Sequence, residues 1–151
     1  MKPSYPNGSV FVVPLKDGGF ARGVVARSAP GGKLLFGYFF GPRLASMPEV
    51  DLSGLRPEKA VLRLRFGDLG LFKGLWPVVD KLPDWNPDEW PMSDAVRRDP
   101  LGKMKPVLIK YDESDPSRIL GEEILENDNG LPAEGLAGYA FVEAKLNKLL
   151  A

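Results

Sequence analysis

Few of the side chains in this sequence could carry out chemistry. The 151 residues include no His and no Cys. Catalytic systems that pair a Ser or Cys nucleophile with His are therefore excluded. Zinc sites normally use Cys and His, so none is expected. Any acid–base chemistry would depend on Asp, Glu, Lys or Tyr.

One carboxylate is notable for its neighbours. Asp68 lies in the run Arg65-Phe66-Gly67-Asp68-Leu69-Gly70-Leu71. It could act as a lone catalytic carboxylate. An Asp beside glycines also stabilises turns through hydrogen bonds from its side chain to nearby backbone. We therefore expect a structural role for Asp68.

Two loops resemble ligand-binding motifs without meeting their requirements. The run from Glu126 to Gly130 is similar to a calcium loop, but Leu125 would occupy the first ligand position. The run Gly31-Gly32-Lys33 has neither the spacing of a phosphate-binding loop nor a Ser or Thr after its Lys. We predict no metal ion and no cofactor.

Charge is unevenly distributed, although the formal net charge is zero. Between Asp112 and Glu134 the only basic residue is Arg118. Such a stretch is either a solvated surface or a patch for a basic partner, because complementary charge speeds association. Its acids are Asp112, Glu113, Asp115, Glu122, Glu123, Glu126, Asp128 and Glu134.

Aromatic residues supply candidates for the centre of an interface. Trp76, Trp85 and Trp90 lie in a stretch that also holds Pro77, Pro83, Pro87 and Pro91. We interpret Trp76 as a core residue. Trp85 and Trp90 either cover one end of the core or anchor a partner, since buried aromatics dominate binding energy at interfaces. Tyr111, next to the acidic stretch, is a further candidate anchor.

The first half of the chain has the pattern of strands. Apolar, β-branched runs are separated by glycine-containing turns, which is typical of hairpins. The predicted strands are Ser9–Leu15, Phe20–Arg27, Lys33–Phe40, ended by Gly41-Pro42, and Lys59–Phe66 with Lys59, Val61, Arg63 and Arg65 outward. Shorter candidates are Val78-Val79, Pro106–Tyr111 and Arg118–Leu120, with an ordered loop over Leu82–Met92.

The C-terminal tail has a different period. No Pro occurs from Gly135 to Ala151, and apolar residues recur at helical spacing. This predicts an amphipathic helix packed on the sheet. We therefore predict a single α+β domain over residues 1–151, mostly β, with an antiparallel curved sheet or small partial barrel. The helical positions expected to face the sheet are Leu136, Tyr139, Val142, Leu146 and Leu149.

Several stretches, taken in order, resemble the immunity protein 26 family. They cover about Gly8 to Leu101. The residues that carry the central family signature are Gly67, Asp68, Gly70, Trp76 and Pro77. The similar stretches are Gly8–Leu15, Asp17–Val25, Gly37–Pro42, Arg65–Leu71, Gly74–Val79 and Trp90-Pro91.

The resemblance implies an immunity protein, which binds a cognate bacterial toxin and blocks it in the producing cell. The toxin would be a protein partner, for which a basic nuclease is one candidate. Residues Met1 to Asn7 lack a secretion-signal pattern, and the apolar run Leu34–Phe40 is too short to span a bilayer. We therefore expect a cytoplasmic protein that contacts neither a membrane nor nucleic acid.

Two alternatives remain open from the sequence. Some family relatives carry a phosphotriesterase label, which implies a hydrolase of organophosphate-like esters. That reaction normally uses a binuclear metal site, and without His such a site would need carboxylates only. A small-barrel adaptor for peptide or nucleic acid would instead place its cations on one face. Those cations would be Arg63, Arg65, Arg97, Arg98 and Lys103.

Overall fold

A five-stranded antiparallel sheet forms the larger part of the fold. The computed structural model describes residues 5–45, 52–83 and 85–151. The strands of this sheet are β1 (Ser9–Pro14), β2 (Phe20–Ser28), β3 (Leu34–Leu44), β4 (Leu62–Gly67) and β5 (Val78–Lys81). They lie in the order β4-β3-β2-β1-β5, so β4 and β5 are its edges. The predicted N-terminal meander is confirmed.

A second, three-stranded antiparallel sheet follows in the chain. Its strands are β6 (Ala95–Arg97), β7 (Val107–Tyr111) and β8 (Ile119–Ile124), in the order β6-β7-β8. The sequence did not predict β6, and β8 is longer than the expected Arg118–Leu120. Neither sheet closes into a barrel, so the open-sheet form of the predicted mostly β fold is the one observed.

The described residues form two α-helices and two short 3-10 turns. Helix α1 (Leu69–Phe72) is a single turn, and α2 (Tyr139–Leu149) is the predicted C-terminal helix. The 3-10 turns cover Pro57–Lys59 and Pro87–Glu89, the latter within the predicted ordered loop. Among the described residues, no helix is both long and apolar enough to cross a membrane.

The buried face of α2 is narrower than its sequence pattern predicted. Val142 and Leu146, four residues apart, are fully buried. The prediction was wrong for Leu136, which precedes the helix and is exposed. Leu149, in the last turn, is also exposed, whereas Tyr139 and Leu150 pack against the core beside Val142 and Leu146.

Two predicted strand boundaries were wrong. Gly41-Pro42 does not end β3, because the pairing with β2 shifts between Phe20 and Arg22 and leaves Pro42 in an irregular stretch that needs no N–H from it. The fourth strand does not begin at Lys59. Pro57 starts a 3-10 turn there, closed by the bond from Ala60 N–H to Pro57 C=O (3.2 Å).

Both faces of the five-stranded sheet are buried, which explains the continuous apolar runs of its first strands. Side chains alternate between the faces, so Phe11 enters one cluster and Val10 the other. The Phe11 cluster contains Phe39, Phe66 and Trp76 and is covered by α2. The Val10 cluster includes Phe36, Tyr38, Phe40, Trp90, Ile109 and Tyr111, and therefore joins the first sheet to the second.

Residues 132–137, here called the connecting segment, link the edges of the two sheets. At β6, Val96 N–H donates to Pro132 C=O and Glu134 N–H donates to Val96 C=O, both at 2.9 Å. At β4, Ala137 N–H donates to Arg65 C=O and Gly67 N–H to Ala137 C=O, both at 3.0 Å. These form two parallel bridges. The connecting segment therefore holds β4 and β6 in a fixed relation.

Candidate functional site

The acidic stretch lies on and around β8, where bases from β6, β7 and adjacent loops neutralise much of its charge. Residues 93–134 contain ten acidic and six basic side chains, a net of four negative charges. The surface therefore keeps a moderate negative excess rather than the full charge that the stretch suggested. The pairs are Arg97–Glu122 (3.0 Å), Arg97–Glu134 (2.5 Å), Arg98–Asp128 (2.5 Å), Lys105–Glu126 (2.8 Å), Lys110–Glu123 (3.2 Å) and Arg118–Asp112 (3.8 Å).

These contacts keep the carboxylates ionised. The hydrogen bonds from Arg98, supported by the Gly130 N–H, lower the pKa of Asp128 to about 2. Arg97 lowers the pKa of Glu134, and hydrogen bonds from Ser114 lower that of Asp112. Because a hydrogen bond to the charged form favours that form, these three groups carry their charge throughout the physiological pH range.

The acids on β8 do not share one face. Glu122 lies opposite Ile109, and Glu123 lies opposite Leu108, so the two carboxylates project to opposite sides of the sheet. Three apolar side chains of the same strand, Ile119, Leu120 and Ile124, are exposed. The edge formed by β8 is therefore a mixed surface of carboxylates and aliphatic side chains.

Two of the three candidate aromatic anchors are core residues. Trp90 is buried, with its ring 5.2 Å from that of Tyr38 in an edge-to-face arrangement. Tyr111 is buried below Arg65, whose guanidinium lies 4.3 Å from the ring and donates to the hydroxyl at 2.7 Å. Their aromatic surface is covered by protein, so for Trp90 the first of the two interpretations, a cover over one end of the core, is the one observed. Only Trp85 of the three is partly exposed.

Arg65 itself differs from its sequence prediction. It was expected to point outward with Arg63, but it packs between the sheets and also donates through Nε to Pro116 C=O at 2.8 Å. Arg63 is exposed as predicted. The second sheet explains the difference, because it covers the end of β4 that carries Arg65.

Asp68 occupies the N-cap of α1, although its side chain makes no capping hydrogen bond. The expectation that its own hydrogen bonds stabilise the turn was therefore wrong. The residue is buried, and among the described residues its Oδ2 has no hydrogen-bond partner. The pKa of Tyr5 is raised by burial and by the charge of Asp68. A buried carboxylate in the core is not accessible to a substrate in this conformation.

The other signature residues position the aromatic core. The Trp76 ring stacks on Phe11, with centroids 5.6 Å apart and planes 1° from parallel. Gly70 lies against the indole, and a Cβ there would be 2.8 Å from it. Pro77 C=O accepts from Val12 N–H of β1 at 3.1 Å, and Gly67 N–H holds the connecting segment. These positions join β1, β4 and α1 by packing and backbone bonds.

The described ranges contain no group of side chains that could bind a metal ion. Across residues 5–45, 52–83 and 85–151, no three of the Asp and Glu side chains come together closely enough to hold a metal ion. Three of the five cations proposed for an adaptor surface are bonded to other groups of the protein. Arg65 lies between the sheets, while Arg97 and Arg98 are bonded to acids.

A buried cation that the sequence analysis missed joins three parts of the molecule. Arg27 of β2 donates through Nε to Glu113 C=O (2.6 Å) and through Nη1 to Ala26 C=O (2.7 Å). Its Nη2 contacts Pro87 C=O and the Glu113 carboxylate, both at 3.1 Å. The signal in the sequence was an Arg within an apolar strand. Arg27 ties the first sheet to the Trp/Pro-rich loop and to the turn after β7.

A comparison with protein families finds a match to this sequence. The model of immunity protein 26 matches residues 6–106, which span the whole five-stranded sheet, α1 and β6. The match defines the class as immunity proteins, which are generally not enzymes.

The chain belongs to the immunity protein 26 family. The resemblance seen in the sequence from about Gly8 to Leu101 is confirmed. No curated protein matches the chain. No solved structure matches it either. Strands β7 and β8 and helix α2 follow the matched region, so the acidic surface lies outside it.

Proposed function

We propose that this chain is an immunity protein that binds a cognate toxin in the cytoplasm and neutralises it by protein–protein contact. The observation that carries the proposal is the family match over residues 6–106. The proposal agrees with the buried position of Asp68, which makes this signature residue part of the packing. It requires an exposed surface that fits the toxin.

The surface around β8 is one candidate for that contact. Exposed ion pairs contribute little to stability, because water and salt screen them. A carboxylate can therefore exchange its partner for a cation of a basic toxin, such as a nuclease. Trp85 remains the partly exposed aromatic candidate, and Ile119, Leu120 and Ile124 add apolar area. The candidate acids are Asp112, Glu113, Asp115, Glu122, Glu123, Glu126 and Asp128.

The function is tested with the toxin domain encoded beside the gene. We expect co-expression to restore growth of cells that produce this toxin, and the two purified proteins to form a stable complex. A toxin variant without activity should still bind, since neutralisation by contact needs no turnover. Protection without a complex, or a complex without protection, would contradict the proposal.

Reversing the charge of four acids tests the β8 surface. Glu122, Glu123, Glu126 and Asp128, all changed to Lys, should slow association with the toxin by about tenfold or more at low salt. The effect should shrink as salt is added, because screening shortens the reach of the charges. Association rates from surface plasmon resonance at two ionic strengths measure it.

A second set of reversals serves as the matched control. Asp80, Asp88, Glu89 and Glu143, also changed to Lys, alter the net charge equally but lie outside the acidic stretch. Equal slowing by both sets would mean that net charge, and not the surface around β8, governs encounter. Circular dichroism must show that both variants stay folded, because the first set loses several ion pairs.

A further inference from the structure

A groove of about 830 Å³ runs along the open edge of β4. The connecting segment and α2 form its other walls. Three of its lining side chains are large, apolar and exposed, namely Val61 (42%), Leu136 (54%) and Phe141 (58%). Exposed apolar side chains that converge on one concave surface are typical of binding grooves.

The backbone of β4 offers unpaired hydrogen-bonding groups to this groove. Ala137 bonds to Arg65 C=O and to Gly67 N–H. The backbone N–H and C=O groups of the odd-numbered residues of β4 therefore point away from β3. Arg63 N–H and C=O and Arg65 N–H therefore point into the groove. Within the described part of the chain these three groups have no backbone partner. An edge of this kind is a template for another strand.

The charges beside this edge favour an acidic occupant. Five charged residues line the groove, namely Glu58, Arg63, Arg65, Glu134 and Lys145, so together they carry one net positive charge. Glu134 is bonded to Arg97, whereas the partners of Arg65, the Tyr111 hydroxyl and Pro116 C=O, are neutral. In the described ranges Glu58, Arg63 and Lys145 belong to no ion pair.

We propose that β4 accepts an extended segment of the toxin as a sixth strand of the first sheet, in the manner of β-strand addition. The segment alternates apolar residues, which contact Leu136 and Phe141, with an acid on its other face that pairs with Arg63. Ala137 already pairs with this edge, so its geometry accepts a parallel strand. The inference rests on the proposed function, because the occupant belongs to the toxin.

The first test removes one donor from the edge. Arg63→Pro deletes an N–H that points into the groove and leaves the bonds between β3 and β4 in place, as an edge strand tolerates. We expect the Kd for the toxin domain to rise by about tenfold, equivalent to losing one or two hydrogen bonds and the guanidinium. Arg63→Ala, which keeps the N–H, should have a smaller effect.

A matched control makes the same change at the other edge of the first sheet, on β5. Leu82 N–H bonds to Gly8 C=O and Lys81 lies opposite Ser9, so the N–H of Lys81 points away from β1 and donates to Asp80 Oδ1. Lys81→Pro should leave the Kd within about twofold of the unchanged protein. Circular dichroism and thermal midpoints show whether both proline variants keep the fold. A larger effect of Lys81→Pro than of Arg63→Pro would overturn the proposal.

A peptide probe separates this inference from the proposed function. A synthetic decapeptide that alternates Val with Glu is added to the isotope-labelled full chain, with a Val/Lys peptide as its control. At about 1 mM, a concentration suited to weak binding, only the acidic peptide should shift the amide signals of Arg63 and Arg65. No shift would overturn the groove as a strand-accepting site. Absence of a toxin complex, by contrast, would contradict the proposed function alone.

Discussion

Replacing Trp76 by Ala is expected to lower the free energy of unfolding by about 3–5 kcal/mol. The indole is fully buried and packs against three phenylalanine rings: Phe11 at 5.6 Å, Phe66 at 5.7 Å and Phe39 at 6.2 Å between centroids. Its removal leaves a cavity among rings held by three different strands, which cannot close together. Urea denaturation followed by circular dichroism measures the loss.

Phe72→Ala is the matched control for this change. Phe72 lies in the same part of the chain but is 51% exposed, so its removal should cost less than about 1.5 kcal/mol. If the two variants lost equal stability, Trp76 would not be the centre of the core. Binding of the toxin by Trp76→Ala, measured on the fraction that remains folded, should be unchanged, because the indole makes no contact with solvent.

Replacing Arg27 by Met is expected to lower the free energy of unfolding by about 3 kcal/mol. Met retains most of the apolar length of the side chain but donates no hydrogen bond. The carbonyls of Ala26, Pro87 and Glu113 would then lose their donor in a place where water reaches them poorly. Chemical denaturation measures the change, and the midpoint should fall without a change in slope.

Glu113→Gln distinguishes the roles of the two partners of this ion pair. The Glu113 side chain is 71% exposed, whereas that of Arg27 is 4% exposed. Removing the carboxylate charge leaves the backbone carbonyl of Glu113 in place, so the expected loss is less than about 1 kcal/mol. A loss as large as that of Arg27→Met would show that the charge pair, and not the bonds to carbonyls, holds the loops.

The parts of the fold that local patterns determine were predictable. The strand from Ser9 and the strand from Phe20 are apolar runs around Asp17-Gly18-Gly19, and both glycines adopt positive φ in the turn. The helical period of the tail likewise located α2. Each of these signals lies within a few residues of the element it specifies, so the sequence alone carries it.

The parts that depend on distant pairing were not predictable. Strand β6 has only three residues, and it exists because Ala95 pairs with Ile109 and Val96 bonds to the connecting segment. The ion pairs were not predictable for the same reason, because their two partners are far apart in the sequence. Arg97 and Arg98 lie before the acidic stretch in the chain, but the pairing of β6 with β7 and β8 brings them beside it. Counting charges along the chain therefore found the acids without their partners.

Main-chain atoms attach the connecting segment to both sheets, and the Glu134 side chain adds an ion pair with Arg97 at β6. The four main-chain bonds, donated by the N–H groups of Val96, Glu134, Gly67 and Ala137, would form with almost any side chains at these positions. Leu136, which lines the groove, contributes no backbone bond to this attachment. Side chains on this wall can therefore be exchanged without detaching it. If the groove binds the toxin, substitutions within the connecting segment would change which toxin it accepts while the main-chain bonds keep the fold.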